Sequence, residues 1–205
     1  FNILEHDPVE RHTYDEFHPL ARSIGLFMGT HVKDMSDVVV SLSGGPDSMV
    51  VTLILKAMGY NIIACHINYG NREEANLEQR FVERECNEYG IVLETRIITE
   101  ATRGSMSRTE YEKMTSEIRF SFYHEMLNKY DAHSVVYGHH RGDMFENILT
   151  NSMIRGRSML DLVVIKPIKI KNNVPIWRPM LSHYKRDIFD YAHKNNVPYL
   201  KDTTP

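Results

Sequence analysis

The sequence has few cysteines and almost no net charge, and each shortage excludes classes of protein. Cys65 and Cys86 are the only cysteines among 205 residues. They form neither a CxxC pair nor the cysteine framework of a small secreted protein, so we expect a reducing compartment and plain core thiols. The 24 Lys and Arg residues are outnumbered by 27 Asp and Glu residues, which gives a net charge of −3. Because proteins that bind nucleic acid through phosphates are usually basic, any nucleic-acid surface must be local.

Long apolar runs are also missing. No stretch approaches the roughly 20 apolar residues that a membrane span needs, and the N-terminus lacks the basic start and apolar centre of a signal peptide. We therefore expect a cytoplasmic chain with no membrane partner. The chain begins at Phe1 and stops at Pro205, directly after Asp202-Thr203-Thr204, and we expect it to be truncated at this end.

Short apolar runs alternate with amphipathic segments along most of the chain. The pattern predicts a leading helix over 14–28 and strands at 38–42, 61–68, 91–98 and 133–137. It also predicts helices at 49–58, 73–89, 107–129, 144–154 and 183–194, and a closing strand at 197–200. Strands separated by helices require crossover connections, so we expect an α/β fold with a Rossmann-like parallel sheet and helices on both faces. Between 163 and 177 the alternation breaks, and Lys171-Asn172-Asn173 predicts a hairpin or an irregular excursion.

A glycine-rich loop follows the first predicted strand of the sheet and reads Ser43-Gly44-Gly45-Pro46-Asp47-Ser48. Two glycines allow a tight turn and a close approach of a ligand, and the next helix start can bind phosphate oxygens. The alternative is a plain strand-to-helix turn in which Asp47 or Ser48 is the N-cap. The loop lacks the spacing of a Walker A motif and of the GxGxxG dinucleotide motif, so neither a P-loop kinase nor a dehydrogenase is supported.

This string resembles the SGGxDS pyrophosphate loop of the PP-loop, or N-type, ATP pyrophosphatases, which have the adenine nucleotide alpha hydrolase-like fold. The resemblance implies that Ser43, Gly44, Gly45, Asp47 and Ser48 bind the β and γ phosphates of ATP, with Asp47 also a Mg²⁺ ligand. That family transfers AMP to a substrate oxygen and releases pyrophosphate. On this basis 1–36 is a helical lead-in and 37–205 the PP-loop domain.

Two further stretches resemble the lysidine synthases of this family. Residues 65–72 are similar to their HVxHGLR stretch, which implies that His66, Ile67 and Asn68 receive the adenine and ribose. Glu112 and Arg119 resemble the Glu and Arg-Tyr positions of the helix after the third strand, which implies substrate binding, although Ser116 replaces a second family arginine.

Residues 138–147 resemble the family motif GHHxDDxxET. The resemblance implies that Gly138 contacts the nucleotide, that Asp143 is a second Mg²⁺ ligand, and that His139 acts in catalysis at the reacting phosphate or the cytosine. Gly142 stands where the family has its first aspartate. An alternative is that Asp143 and Glu146 are an N-cap and its capping partner at a helix start.

The remaining matches lie near the end of the chain. Arg155, Arg178 and Asp202 resemble the RGSG, IRPLL and DxSN segments, which implies binding of lysine and cytidine, with Arg178 also catalytic. A local basic set could bind an RNA backbone or could be an ordinary solvated face: Arg141, Arg155, Arg157, Lys166, Lys169, Lys171 and Arg178.

These resemblances imply a Mg²⁺- and ATP-dependent ligase that forms a carbon–nitrogen bond. ATP would adenylate the wobble cytidine of an isoleucine tRNA, and free lysine would then attack, with AMP and pyrophosphate released. A homodimer is compatible with the sequence. The alternatives are tRNA thiolation, an amidation of the GMP- or NAD-synthetase kind, and a catalytically weakened nucleotide- or RNA-binding module. The last is suggested by the departures at Asn68, Ser116, Gly142 and Pro205.

Overall fold

A computed structural model describes residues 3–32, 37–70, 73–101, 106–145 and 165–201. The helices are α1 (Pro19–His31), α2 (Pro46–Ala57), α3 (Glu74–Glu88), α4 (Arg108–Lys129) and α5 (Lys185–Lys194). The strands are β1 (Leu4–His6), β2 (Asp37–Ser41), β3 (Asn61–Asn68), β4 (Val92–Ile97), β5 (Val135–Val136), β6 (Ile168–Lys171), β7 (Val174–Trp177) and β8 (Tyr199–Leu200). Among the described helices, none is both long and apolar enough to cross a bilayer.

The central sheet confirms the predicted α/β fold. Its strand order is β4-β3-β2-β5-β7-β6, and every neighbouring pair is parallel except β6 with β7. Val40 of β2 belongs to one apolar core with α1, α2 and α5, whereas the adjacent Val39 belongs to a second core with α4. Successive side chains of a strand point to opposite faces, so a continuous β-branched run is what a strand buried on both faces requires.

Several element bounds differ from the predicted ones for local reasons. The leading helix begins at Pro19 rather than at 14, because His18 is the N-cap and its Nδ1 accepts a hydrogen bond from the Leu20 N–H at 3.1 Å. The fourth predicted strand, 133–137, is reduced to the two residues of β5. The break in the pattern is a hairpin, as predicted, and Asn172 and Asn173 turn it with φ of 50° and 62°.

A second, two-stranded sheet was not predicted and joins the two ends of the described chain. Strand β1 pairs antiparallel with β8, with Leu4 opposite Leu200. The Leu200 N–H donates to the Gly44 carbonyl at 2.9 Å. Through this hydrogen bond, the small sheet contacts and stabilises the glycine-rich loop.

Candidate active site

A pocket of about 280 Å³ opens where the carboxyl ends of β2, β3 and β5 meet. This is the edge at which parallel α/β sheets bind ligands. The lining residues are Ser41, Leu42, Ser43, Asp47, Ser48, Cys65, Ile67, Tyr69, Arg119, Tyr123, Tyr137, Gly138, His139 and Asp143. The structure thus brings the glycine-rich loop and the His139 loop together, because they follow β2 and β5, which are parallel neighbours in the sheet.

The glycine-rich loop is held by its own hydroxyl groups. The Ser43 N–H donates to Ser48 Oγ at 3.2 Å, and Ser48 Oγ donates to the Gly45 carbonyl at 3.1 Å. Gly45 is the N-cap of α2, with Pro46 next, so the alternative that Asp47 or Ser48 is the N-cap is wrong. Gly44 has φ of 91°, which a residue with a Cβ rarely adopts. The free N–H groups of the first turn of α2 make this loop suited to an anion.

Gly138 lets the second loop lie directly against the first. A Cβ at this position would be 2.8 Å from the Asp47 carbonyl carbon and 2.9 Å from the Ser48 nitrogen. Both neighbours are backbone atoms and cannot rotate away. The distance between the two loops is therefore fixed by the absence of a side chain at residue 138.

Asp47 lies at the centre of the polar end of the pocket. Its Oδ2 accepts a hydrogen bond from Lys185 Nζ at 2.5 Å, whereas its Oδ1 is buried and has no hydrogen-bond partner among the described residues. His140 Nε2 lies 3.9 Å from that Oδ1. Burial raises the pKa of Asp47 above its ordinary value, and the bond to Lys185 opposes this shift. An unpartnered buried carboxylate oxygen is costly unless a ligand or cation completes it.

Asp143 stabilises the backbone of its own loop. Its Oδ2 accepts a hydrogen bond from the His140 N–H at 2.7 Å, and the Gly142 N–H donates to His140 Nδ1 at 2.9 Å. This reciprocal pair caps the helical segment 141–145, with Asp143 as the capping partner rather than the N-cap. The other predicted capping partner, Glu146, lies outside the described residues.

The two carboxylates form a donor set that fits Mg²⁺. Asp47 and Asp143 both line the pocket, and the Asp143 charge contributes to the raised pKa of Asp47, so the groups interact. Within the described ranges no cluster of three or more His, Cys, Asp or Glu side chains encloses a metal position. Mg²⁺ commonly takes one or two carboxylates and completes its octahedron with phosphate oxygens and water, and Asp47 and Asp143 could supply the former.

A second polar unit consists of His139, which lines the pocket, and Arg178, which is bonded to it. Arg178 Nε donates to His139 Nδ1 at 2.8 Å, and Arg178 Nη1 donates to the Lys166 carbonyl at 2.9 Å. Burial and the Arg178 charge lower the pKa of His139 to about 4. His139 is therefore neutral at pH 7, and because Nδ1 accepts, its proton resides on Nε2.

The far half of the pocket is aromatic and carries one cation. Arg119 Nη1 donates to the Tyr69 hydroxyl at 3.5 Å, while Arg119 Nε is buried without a hydrogen-bond partner among the described residues. The Tyr123 hydroxyl lies 2.8 Å from Ser41 Oγ. Flat rings beside the buried Arg119 guanidinium suit a planar polar ligand such as a nucleobase.

Some predicted site residues do not direct their side chains into this pocket. Glu112 is exposed on α4 and pairs with Arg108 at 2.8 Å, and Asn68 donates to Gln79 at 2.8 Å and accepts from the Gly70 N–H. His66 is buried, and its Nδ1 lies 2.9 Å from the Leu42 carbonyl oxygen. Their predicted roles in binding stay predictions.

Two predicted residues, Arg155 and Asp202, lie outside the described residues. Sequence reasoning missed Lys185, Tyr123 and Tyr137, which belong to no quoted motif. Tyr137 directly precedes the GHH stretch at the end of a strand, and that position was a usable signal.

Two curated relatives of this chain are named tRNA(Ile)-lysidine synthase. The chain is 32% identical over 171 residues to the tRNA(Ile)-lysidine synthase of Thermotoga maritima, and the match covers 82% of this chain and 40% of that protein. It is 31% identical over 168 residues to the tRNA(Ile)-lysidine synthase of Bacteroides thetaiotaomicron, covering 82% of this chain and 38% of that protein. The chain thus spans about 40% of the length of these curated relatives.

Solved structures share the fold at low identity. The U34-tRNA thiolase NcsA from Methanococcus maripaludis, solved with its 4Fe-4S cluster, is 19% identical with a TM-score of 0.72, covering 95% of this chain and 73% of that one. The NH3-dependent NAD synthetase from Campylobacter jejuni is 16% identical with a TM-score of 0.59, covering 90% of this chain and 75% of that one.

The family comparison covers nearly the whole chain and includes every part of the pocket that the structure describes. Residues 17–205 match the family described as PP-loop domain. With the glycine-rich loop at the predicted strand end, and relatives above 30% identity, the chain belongs to the PP-loop domain family.

Proposed function

We propose that this chain is the adenylating domain of a tRNA-modifying enzyme that synthesises lysidine. ATP would adenylate O2 of the wobble cytidine of an isoleucine tRNA, with pyrophosphate released. The amine of free lysine would then attack C2 and displace AMP. The observation that carries the proposal is the glycine-rich loop facing Asp143 and His139 in one pocket, in a chain whose relatives are named tRNA(Ile)-lysidine synthase.

The polar end of the pocket would bind the triphosphate. The loop 43–48 and the start of α2 supply N–H groups and hydroxyls for the β and γ phosphates. Asp47 and Asp143 would hold Mg²⁺, which supplies charge compensation for the departing pyrophosphate. The buried Oδ1 of Asp47 supports this assignment, because it has no hydrogen-bond partner among the described residues and a metal ion would supply one.

His139 and Arg178 would act on the reacting phosphate. Neutral His139 can donate its Nε2 proton in a hydrogen bond to a phosphate oxygen, and Arg178 fixes the ring through Nδ1. Arg178 also brings a positive charge into a buried position, where it would stabilise developing negative charge more than it would in water. The tyrosine-lined half, with Arg119, would receive a base.

Thiolation is the second candidate, because a tRNA thiolase shares the fold. The cysteines support it poorly. Cys65 lines the pocket, but it is buried, and burial raises the pKa of its thiol, so little reactive thiolate forms. Burial also raises the pKa of the Cys86 thiol. An iron–sulfur cluster usually takes four cysteine ligands, and this chain contains two.

The test combines labelled ATP, bulk tRNA and labelled lysine, and follows pyrophosphate release and lysine incorporation into RNA. We expect both in the wild type and neither in Asp47→Ala. Glu117→Ala, an exposed acid-to-alanine change on α4, is the matched control and should behave as wild type. Pyrophosphate release without lysine incorporation would assign the adenylation to another nucleophile. If folded protein showed neither pyrophosphate release nor lysine incorporation, the proposal would be overturned in favour of a binding module.

A further inference from the structure

Lys185 is the charged residue in contact with the glycine-rich loop that no motif assigns. It is the first residue of α5, and its Nζ bonds to Asp47 Oδ2 across 138 residues of sequence. Its Nζ lies over the Phe189 ring, 5.5 Å from the ring centroid. Asp47 lines the pocket, and the Lys185 and Asp47 side chains are 34% and 27% exposed, so the pair is reachable from solvent.

The position of Lys185 in its helix is electrostatically unfavourable. The N-terminus of a helix carries a partial positive charge and favours acidic side chains, so a lysine at the first position needs a compensating anion. Asp187, in the same turn, accepts a hydrogen bond from the Tyr184 N–H at 2.9 Å and lies 3.8 Å from His183. Asp47 is the acid that bonds to Lys185 among the described residues.

Asp47 Oδ2 cannot accept the hydrogen bond from Lys185 and bind a divalent cation at the same time. Its Oδ2 is bonded to Lys185, and the remaining Oδ1 is buried near His140. A cation that takes the carboxylate would compete with Lys185 for it. A displaced Lys185 would need a new anion within reach of its flexible stem, and the loop beside it is built to bind phosphates.

We infer that Lys185 blocks Asp47 from binding Mg²⁺ in the nucleotide-free protein and transfers to the pyrophosphate portion of ATP when the metal–nucleotide complex binds. The inference rests on the proposed function for its use of ATP. Such an exchange would suppress metal binding without nucleotide and add a positive charge to the leaving group only when that charge is needed.

The test measures two bindings that do not require turnover. Mn²⁺ binding to the nucleotide-free protein and binding of pyrophosphate with Mg²⁺ are measured by calorimetry for the wild type, Lys185→Met and Lys185→Arg. We expect Lys185→Met to bind Mn²⁺ about tenfold more tightly and pyrophosphate about tenfold more weakly. Lys185→Arg keeps the charge and should stay close to wild type in both.

The control is Lys194→Met at the other end of α5, where the lysine pairs with Asp190 at the surface. It should change neither binding. A merely structural role for Lys185 would weaken both bindings together or leave both unchanged, and either result overturns the inference. Failure of lysine incorporation in the wild type would refute the proposed function but would leave these two measurements as a valid test of Lys185.

Discussion

At the residue scale, the contact between the two pocket loops depends on Gly138. We expect Gly138→Ala to destabilise the fold by about 1–3 kcal/mol, because its Cβ would overlap backbone atoms of Asp47 and Ser48. Separation of the loops should also weaken nucleotide binding about tenfold or more. Urea unfolding and ATP titration measure the two effects.

Gly29→Ala is the matched control for that change. A Cβ at Gly29 would meet nothing within 4 Å, and the residue lies in α1 with an ordinary helical backbone. We expect this variant to be more stable by about 0.5–1 kcal/mol and to bind nucleotide as the wild type does. If both glycine variants had the same effect on nucleotide binding, close approach at residue 138 would not be the reason for its glycine.

Gly142 replaces a family aspartate, and the His140 ring explains why a glycine fits here. A Cβ at residue 142 would lie 2.5 Å from His140 Cε1. We expect Gly142→Ala to cost about 1–2 kcal/mol of stability, because the ring must rotate and lose its bond from the Gly142 N–H. In a His140→Ala background the same change should cost nearly nothing, and urea unfolding of the four proteins measures this coupling. Additive losses would show that the ring is not the obstacle.

At the element scale, the β6–β7 hairpin depends on two residues with positive φ. Asn172 and Asn173 occupy the central turn positions, with φ of 50° and 62°, as a type I′ turn requires. We expect Asn173→Gly to stabilise the protein by about 0.5 kcal/mol and Asn173→Val to destabilise it by about 1–2 kcal/mol, because only the β-branched side chain clashes there. Thermal unfolding of both variants gives the comparison, and equal melting temperatures would contradict the turn assignment.

The sequence predicted the longer strands and helices of the α/β alternation. Strands β2, β3 and β4 and helices α2, α3 and α4 were found close to their predicted bounds because apolar runs, glycine stops and caps coincide there. Strand β1 has three residues and no usable period, and it exists only through pairing with β8 at the other end of the chain. Such a strand is defined by its partner and not by its own residues.

The candidate site, like the fold, could be predicted from the sequence only in part. Motif residues on the loops after β2 and β5 converge, because the carboxyl ends of parallel strands share one edge of the sheet. The contact of Lys185 with Asp47 could not be predicted, because nothing in the residues around position 185 sets how α5 packs against α2. Nor could the side-chain contacts of Asn68 be predicted, since its amide donates to Asn76 and Gln79 of α3.

At the scale of the whole molecule, the N-terminal segment is fixed to the last helix of the described chain. The His12 N–H donates to the Tyr89 hydroxyl at 3.3 Å, and His12 Nε2 lies 3.1 Å from the Tyr191 hydroxyl. The Thr13 N–H donates to the Asn195 carbonyl at 3.0 Å. Residues far apart in the sequence thus stabilise one another, and the α5 that carries Lys185 is held partly by this segment.

This arrangement predicts a pH dependence of stability. Burial lowers the pKa of His12 to about 4, whereas its value in the unfolded chain is about 6.5. Between these values the unfolded chain binds more protons, so the free energy of unfolding rises with pH and is lost as pH falls from about 6.5 toward 4. At pH 5 we expect His12 to contribute a loss of about 1 kcal/mol in the free energy of unfolding relative to pH 7, a figure already reduced for its partial exposure.

Urea unfolding at both pH values should show a smaller loss for His12→Gln than for the wild type. His139 shifts in the same direction and remains in both proteins, so only the difference between them reports on His12. The exposed His124→Gln variant should retain the full wild-type loss, and an equal loss in all three proteins would contradict the assignment.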